Sequence, residues 1–270
     1  MPPILIDDYP YSPRTRYGHG LAPSHPRLFQ ILDADRPRYR DVLAEVLSYR
    51  DHLIKIQLRS APEDASPAWI NDFLPGLDSA VLYSLVSSSK ADIYMEIGSG
   101  NSTKFVRRAI QDQGLSTKIV SIDPHPREEI DQLCDEVIRQ PVEEVSLDVF
   151  SRLKAGDILF VDHSHRSFMN SDTTIVFLDI LPELKPGVLV QIHDIYLPWD
   201  YPPEWIERHY NEQYLLACYL LANPRFEVVL PATFVSIDPE LSQLLAPLWT
   251  DPRMIPGPGT HGASFWLRTL

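Results

Sequence analysis

In the last two thirds of the chain, short runs of aliphatic and β-branched residues alternate with longer stretches in which apolar residues recur at helical spacing. Seven of these runs predict strands, at residues 92–97, 118–123, 136–140, 157–162, 188–194, 226–231 and 264–267. Helical spacing fills most of the intervals, at residues 103–111, 128–135, 147–153, 173–183 and 204–221. Strands that alternate with helices indicate a mostly parallel sheet with right-handed crossovers. No helix is predicted between the last two runs, which suits an antiparallel pair at one edge of the sheet.

The first 90 residues follow a different pattern. Residues 1–35 are rich in Pro, Tyr and His, have no clear period, and are expected to lie extended over the surface. Helices are predicted at residues 36–59 and at about 76–87, on either side of a loop that contains proline and aspartate. The sequence therefore predicts an N-terminal extended and helical segment, residues 1–90, that packs on an α/β domain, residues 91–270.

Composition narrows the class of protein. The chain has 270 residues, 44% of them hydrophobic, which is enough for one large α/β core. It contains no apolar run of about 18 residues and begins without the basic flank of a signal peptide, so no membrane partner is expected. Its two cysteines, Cys134 and Cys218, do not predict a disulfide framework. A cytoplasmic enzyme fits these features.

Charge argues against nucleic acid as a partner. The net charge is −13, whereas a protein that binds the phosphate backbone needs basic surface. The one basic cluster, at residues 36–40, is interpreted as a solvated helix start. A small molecule is therefore the expected partner.

A strand that runs into two glycines carries the strongest ligand signal. After Glu96-Ile97 come Gly98-Ser99-Gly100, and a helix is predicted to begin at Ser102 or Thr103. Glycines let the backbone approach a ligand closely, and a new helix offers free N–H groups. Glu96 would repel a phosphate, but a carboxylate near this turn favours the ammonium group of S-adenosylmethionine (SAM).

An acid at the end of the second strand adds to this signal. Asp123 suits hydrogen bonds to ribose hydroxyls, although it can also cap a helix before Pro124. Gln140 or Val142, after the third strand, would border an adenine or belong to an ordinary loop. The predicted cofactor-binding residues are Glu96, Gly98, Ser99, Gly100, Asn101, Ser102, Asp123, Pro124, His125, Gln140 and Asp162.

At this point residues 91–268 resemble the class I SAM-dependent methyltransferases, and more narrowly the branch called methyltransferase family 24. The resemblance is carried by residues 96–102, 121–126, 156–165, 184–188 and 193–198. It implies an α/β, Rossmann-like, seven-stranded sheet, mostly parallel, with the last strand antiparallel. It also implies that Glu96, Gly98, Gly100 and Asp123 hold SAM, and relatives in this branch methylate sugars or natural products.

Candidate catalytic residues follow the fourth and fifth strands. Asp162-His163-Ser164-His165 leaves the fourth strand, and His193-Asp194 leaves the fifth. Ligands of open α/β sheets bind outside the carboxyl ends of the strands, so the two groups should meet beside the methyl group. The protein must there align an acceptor and remove its proton.

Two devices fit these residues. The first is a divalent metal held by Asp162, His193 and Asp194, since the catechol and macrocin O-methyltransferases of the same fold use acids at the ends of these two strands. A histidine ligand shifts the preference from Mg²⁺ towards Mn²⁺, Fe²⁺ or Zn²⁺, and Ile195 replaces the asparagine of the catechol type. The second is a histidine base, which could be His163, His165 or His193, with His165 preferred because it stands where the catechol type has lysine. The predicted catalytic residues are His165, Asp162 and His193.

Aromatic residues follow the fifth strand. Trp199, Tyr201 and Trp205 would stack on an acceptor or pack the loop against the sheet, and Tyr210 and Tyr214 are expected to face the core.

The expected activity is O-methylation of a small-molecule hydroxyl, by a chain that is free to form a homo-oligomer. One rival is a catalytically silent SAM-fold binding subunit. The other, an NAD(P)-dependent oxidoreductase, is disfavoured because Thr103 stands where its third glycine would be.

Overall fold

A seven-stranded sheet organises the computed structural model, which describes residues 13–20, 22–61, 64–126, 129–222 and 225–270. The strands are Ile93–Ile97 (β1), Lys118–Ile122 (β2), Glu136–Ile138 (β3), Ile158–Val161 (β4), Leu189–Ile192 (β5), Phe226–Pro231 (β6) and Phe265–Thr269 (β7). Each lies at or within about two residues of its predicted run. All four residues of β4 are apolar and buried, as expected for a strand covered on both faces.

The strand order is β3-β2-β1-β4-β5-β7-β6. The first five strands are parallel, with Ile97 of β1 level with Ile122 of β2 and Val161 of β4. β7 runs antiparallel between β5 and β6. The predicted Rossmann-like methyltransferase fold is confirmed, and the carboxyl ends of β1, β2, β4 and β5 share one edge of the sheet.

Helices cover the sheet, beginning in the N-terminal segment. They are Pro26–Asp33 (α1), Arg36–Ser48 (α2), Arg50–Leu53 (α3), Gly76–Ser89 (α4), Asn101–Gln113 (α5), Asp172–Ile175 (α6), Glu212–Leu221 (α7), Ala232–Ile237 (α8) and Ala246–Trp249 (α9). Most of α4 is buried, and it packs against both α2 and α5.

The structure contains helices in two places where the sequence predicted none. Helix α1 lies inside the segment expected to be extended; Pro26 starts it, and the His25 side chain accepts the Leu28 N–H at 3.3 Å. Residues 1–12 of that segment lie outside the described residues. Helices α8 and α9 stand between β6 and β7, where no helix was expected, because frequent prolines there break the helical period into short turns.

Several predicted helices are shorter or differently wound. In place of helix 128–135 the structure has a 3₁₀ turn at Asp131–Leu133, and residue 128 lies outside the described residues. Residues 147–152 are 3₁₀, and helix 173–183 continues from α6 as a π-helical turn and a 3₁₀ turn that contains Pro182. The predicted helix 204–221 is a 3₁₀ segment, Pro203–Arg208, followed by α7.

The hydrophobic core crosses the predicted boundary at residue 90. One cluster of buried side chains runs from Leu28 to Leu267. The Asp78 carboxylate of α4 accepts the N–H groups of Ala263 and Ser264 at 2.7 and 3.0 Å. The N-terminal helices thus pack directly on the sheet. In the described part of the chain, no helix has both the length and the apolar character needed to cross a bilayer.

Candidate functional site

A cavity of about 760 Å³ opens at the edge where the parallel strands end. Its wall includes Gly98 and Ser99 after β1, residues 123–125 after β2, residues 162–165 after β4, and His193 and Asp194 after β5. The structure therefore brings together most of the predicted cofactor and catalytic residues. The size falls in the range of roughly 300–1,000 Å³ usual for small-molecule sites.

Gly98 fits a position where no other residue fits. Its φ is 83°, and a Cβ atom would lie 1.7 Å from the Asp162 carbonyl oxygen. The Gly98 N–H donates to the Ile122 carbonyl at 3.0 Å, and the Asp162 N–H donates to the Ile97 carbonyl at 2.8 Å. The turn is thereby held against the ends of β2 and β4, and its backbone lines the cavity.

Asp123 connects that turn to the end of β2. Its carboxylate accepts the Ser99 N–H at 2.9 Å and the His125 N–H at 2.8 Å. The side chain is half-buried on the cavity wall, and no helix begins at described residues 124–126, so Asp123 does not cap one. Each oxygen keeps a further lone pair for a ligand hydroxyl.

Glu96 lies beneath the turn, and the cavity wall does not include it. It is fully buried and accepts hydrogen bonds from the Tyr94 and Ser102 hydroxyls at 3.1 Å each and from the Thr103 hydroxyl. Burial raises the pKa of Glu96 to about 7, against the opposing effect of these hydroxyls. In this structure the carboxyl group fixes the start of α5.

The remaining predicted cofactor residues divide into two groups. Pro124 and His125 line the main cavity. Gly100, Asn101 and Ser102 line a small recess beside it. Gln140 is exposed and away from the wall, which is formed at that point by Pro141, Val142 and Glu143.

These features fit SAM. The backbone of the Gly98 turn lines the cavity, Asp123 offers a carboxylate for ribose hydroxyls, and Val142 adds a buried apolar side chain for a flat ring. The same edge of the sheet also carries a cluster of histidines and acids.

His165 is held between carboxylates. It is 4% exposed; its Nδ1 contacts Glu212, and its Nε2 lies 3.2 Å from Asp162 and 3.6 Å from Asp194. Burial disfavours the charged imidazole, but Glu212 and Asp162 outweigh it and raise the pKa of His165 well above 6.5. A φ of 62° at His165 turns the chain at this point.

His193, directly after β5, repeats this arrangement. Its Nδ1 lies 3.2 Å from Asp194 and 4.0 Å from Asp162, and its Nε2 lies 3.4 Å from Asp78. Against the effect of burial, Asp162 and Asp194 raise the pKa of His193 well above 6.5. Burial also acts against ionisation of Asp162, but His193 and His165 lower its pKa below the usual range. The cluster can therefore hold and move protons.

The geometry bears on the metal prediction. Among the described residues, one trio of possible ligands has all its ligand atoms within 4.8 Å of one another: His163, His165 and Glu212. The predicted trio of Asp162, His193 and Asp194 does not meet that spacing. His163 Nε2 and one Glu212 oxygen are buried without a hydrogen-bond partner among the described residues. The trio of His163, His165 and Glu212 therefore fits an ion that takes nitrogen and oxygen ligands, such as Mn²⁺, Fe²⁺ or Zn²⁺. An ion there would replace the contact between His165 and Glu212.

Sequence reasoning missed Glu212 and Asp78, which reach the cluster from helices. Each is a fully buried acid in a largely apolar helix, the one signal that distinguishes it. Of the aromatic loop, Trp199 and Tyr201 are buried in packing, whereas Trp205 lines the cavity. Tyr210 was expected in the core but lines the cavity with Tyr196, and Tyr214 is 45% exposed.

Comparison with known families identifies the domain. A family model described as a methyltransferase domain matches residues 95–195, whereas a search of curated proteins found no match. The matched segment runs from within β1 to just beyond β5 and includes the glycine turn, Asp123 and both histidine-bearing strand ends. The resemblance seen in the sequence is confirmed: the chain carries a methyltransferase domain of the SAM-dependent class.

Proposed function

We propose that this protein is an O-methyltransferase that transfers the methyl group of SAM to a hydroxyl of a small molecule, a sugar or a natural product, in the cytoplasm. The observation that carries the proposal is the position of His165. Its imidazole lines the cavity, Glu212 contacts one ring nitrogen, and the other nitrogen faces Asp162 at 3.2 Å. A hydroxyl of the methyl acceptor that lies in this cavity therefore has His165 beside it as a base.

The residues divide the work between two sides of the cavity. SAM supplies a methyl group on a sulfonium sulfur, and the neutral thioether that remains after transfer is a good leaving group. The Gly98 turn and Asp123 bind and orient the adenosyl end. The acceptor then occupies the side formed by the ends of β4 and β5, where its oxygen can be aligned with the methyl group.

Proton transfer is assigned to His165. A neutral His165 that donates its Nδ1–H to Glu212 carries no proton on Nε2, so this nitrogen, which faces Asp162, can take the proton of the acceptor hydroxyl. Asp162 then stabilises the imidazolium that forms. Because the pKa of His165 is raised, we expect activity to increase above neutral pH.

Metal assistance is a second version of the same proposal. The predicted ligands are Asp162, His193 and Asp194. His193 lies within 4.0 Å of both acids, but the three do not meet the spacing of a ligand trio, so an ion would have to draw them closer together. A divalent ion held there would lower the pKa of the acceptor hydroxyl. His193 would then act as a ligand and not as a second base.

The test combines ligand binding with turnover. Calorimetry should show binding of SAM and S-adenosylhomocysteine (SAH) but not of NAD(P), and a panel of hydroxylated acceptors should release SAH. We expect His165→Gln to reduce turnover by about 10²–10⁴-fold with SAH affinity unchanged. His209→Asn, at an exposed histidine on the neighbouring segment, is the matched control.

Other outcomes identify the rivals. SAH binding without turnover on any acceptor would support a silent binding subunit, and NAD(P) binding would support the oxidoreductase. Activity that is lost with a chelator and restored by Mn²⁺ or Mg²⁺ would support the metal version. Light scattering would test whether a homo-oligomer forms.

A further inference from the structure

A cation and two aromatic rings form the mouth of the cavity. Arg208, Trp205 and Tyr210 all line it, with the Arg208 guanidinium carbon 3.9 Å from the Trp205 ring centroid and 5.6 Å from that of Tyr210. We propose that the acceptor carries an anionic group, a carboxylate or a phosphate, that Arg208 binds. This inference rests on the proposed O-methylation and names the class of its substrate.

Arg208 has no carboxylate partner among the residues that the structure describes, and its guanidinium donates none of the hydrogen bonds found there. Most of the other described arginines of this acidic chain do pair with a carboxylate, for example Arg36, Arg107 and Arg152. A guanidinium stacked on an indole ring keeps its edge donors free. Those donors match the oxygens of a carboxylate or phosphate.

A second arginine adds positive charge at the same place. The Arg166 guanidinium lies 5.4 Å from the Tyr210 ring centroid, and its Nε–H donates to the Arg208 carbonyl at 2.8 Å. This contact also fixes the backbone from which Arg208 projects. The two guanidinium groups thus add positive charge at the mouth, whereas the ends of β4 and β5 carry Asp162 and Asp194.

The opposed charges determine how the acceptor enters. An anion at the ends of β4 and β5 would face these carboxylates and be repelled, so the hydroxyl enters that side and the anionic group stays at Arg208. Tyr210 sets the spacing: its ring centroid lies 4.5 Å from that of His165 and 5.6 Å from the Arg208 guanidinium carbon. The two ends are therefore no more than about 10 Å apart, a distance that a sugar acid or sugar phosphate spans.

The experiment measures binding to the full chain loaded with SAH. The probes are D-glucuronate, D-glucose 6-phosphate and D-glucose, which share a hydroxylated ring and differ in the anionic group. We expect at least one anion to bind at least about tenfold more tightly than glucose, and the better of the two identifies carboxylate or phosphate as the source. Arg208→Gln should abolish that preference, Arg208→Lys should restore part of it, and Arg225→Gln, at an exposed arginine on another face, should leave it unchanged.

Two results overturn the inference: anions that bind no better than glucose, and a preference that survives Arg208→Gln. Its failure is distinguishable from failure of the methyltransferase proposal. If SAH binds and acceptors turn over while the preference is absent, only the anionic class is wrong. If SAH does not bind, the same titration on the unloaded chain still tests Arg208, and the O-methyltransferase proposal fails by itself.

Discussion

Single residues at this site derive their chemistry from their neighbours. His165 and His193 are both buried, which by itself would keep an imidazole neutral. Carboxylates on two sides of each ring reverse that preference and raise the pKa of both histidines. The protonation state of these two histidines is therefore set by Asp162, Asp194 and the acids Glu212 and Asp78 on the helices, and not by the imidazole rings alone.

Replacing Glu212 should change how activity depends on pH. Glu212→Gln removes the strongest influence that raises the pKa of His165, so the imidazole loses its proton at a lower pH. The acid limb of kcat/KM should then move to lower pH, and kcat should fall about 10- to 100-fold because the Nδ1 tautomer is held less firmly. A pH–rate profile of both proteins measures this.

The exposed Glu207→Gln on the preceding segment serves as the control and should leave the profile in place. An acid limb that does not move in Glu212→Gln would mean that His165 is not the base.

Adding one methyl group at Gly98 should damage both stability and SAM binding. In Gly98→Ala the new Cβ would collide with the Asp162 carbonyl, at a φ that alanine also disfavours. We expect a loss of about 2 kcal/mol or more in the free energy of unfolding, and SAM affinity reduced at least about tenfold. Denaturant unfolding and calorimetry give the two quantities.

Gly114→Ala separates strain from collision. Gly114 has a φ of 61°, but nothing lies within 4 Å of the place that a Cβ atom would take, so only the backbone strain of about 1–2 kcal/mol should appear. SAM affinity equal in both variants would contradict a role for the Gly98 turn.

At the scale of elements, the strands were predictable and several helices were not. A continuous apolar run marks a strand buried on both faces, and β4 is of this kind. The segment before β5 has helical spacing, yet it changes from α to π to 3₁₀ winding within residues 172–183. Periodicity does not distinguish these windings, because each places apolar residues on one side.

The site was predictable to the same extent. Strand ends on one edge must meet, so Asp162, His165, His193 and Asp194 were expected together before any contact was known. Glu212 and Asp78 come from helices whose packing on the sheet is a tertiary property. Nothing in their local sequence fixes which strand end they face.

The junction of β1 and α5 has a pH dependence of its own. The folded pKa of Glu96 is about 7, above its ordinary 4.5, so the folded state retains a proton that the unfolded state loses between these values. Stability should therefore fall as the pH rises from 4.5 to 7. Glu96→Gln removes this dependence, so its stability relative to the wild type should increase by roughly 3 kcal/mol across that range.

Thermal unfolding at pH 4.5, 6 and 8 without ligand checks the difference. Glu144→Gln, an exposed acid, should show no such trend. A difference between Glu96→Gln and wild type that stays constant with pH would show that Glu96 is ionised in the folded protein throughout.

For the whole molecule, the N-terminal segment and the sheet form one hydrophobic unit. Trp69 and Tyr83, both almost fully buried, belong to the same cluster as Phe105 of α5. Asp78 extends this unit into the site, since it binds the backbone before β7 and lies 3.4 Å from His193. The predicted boundary at residue 90 remains a prediction about domain organisation, and it separates parts that share their packing.

Deleting residues 1–90 should therefore abolish cooperative folding. A chain of residues 91–270 would expose the face of α5 that packs on α4 and leave the backbone before β7 without its Asp78 acceptor. We expect the free-energy cost of exposing that apolar surface to exceed the roughly 5–15 kcal/mol by which native domains are stable. We expect lost near-ultraviolet dichroism and no calorimetric transition, both recovered in part when residues 1–90 are added as a separate chain. A sharp, reversible transition in residues 91–270 alone would instead establish the methyltransferase domain as an independent folding unit, with the N-terminal segment as a dispensable cover.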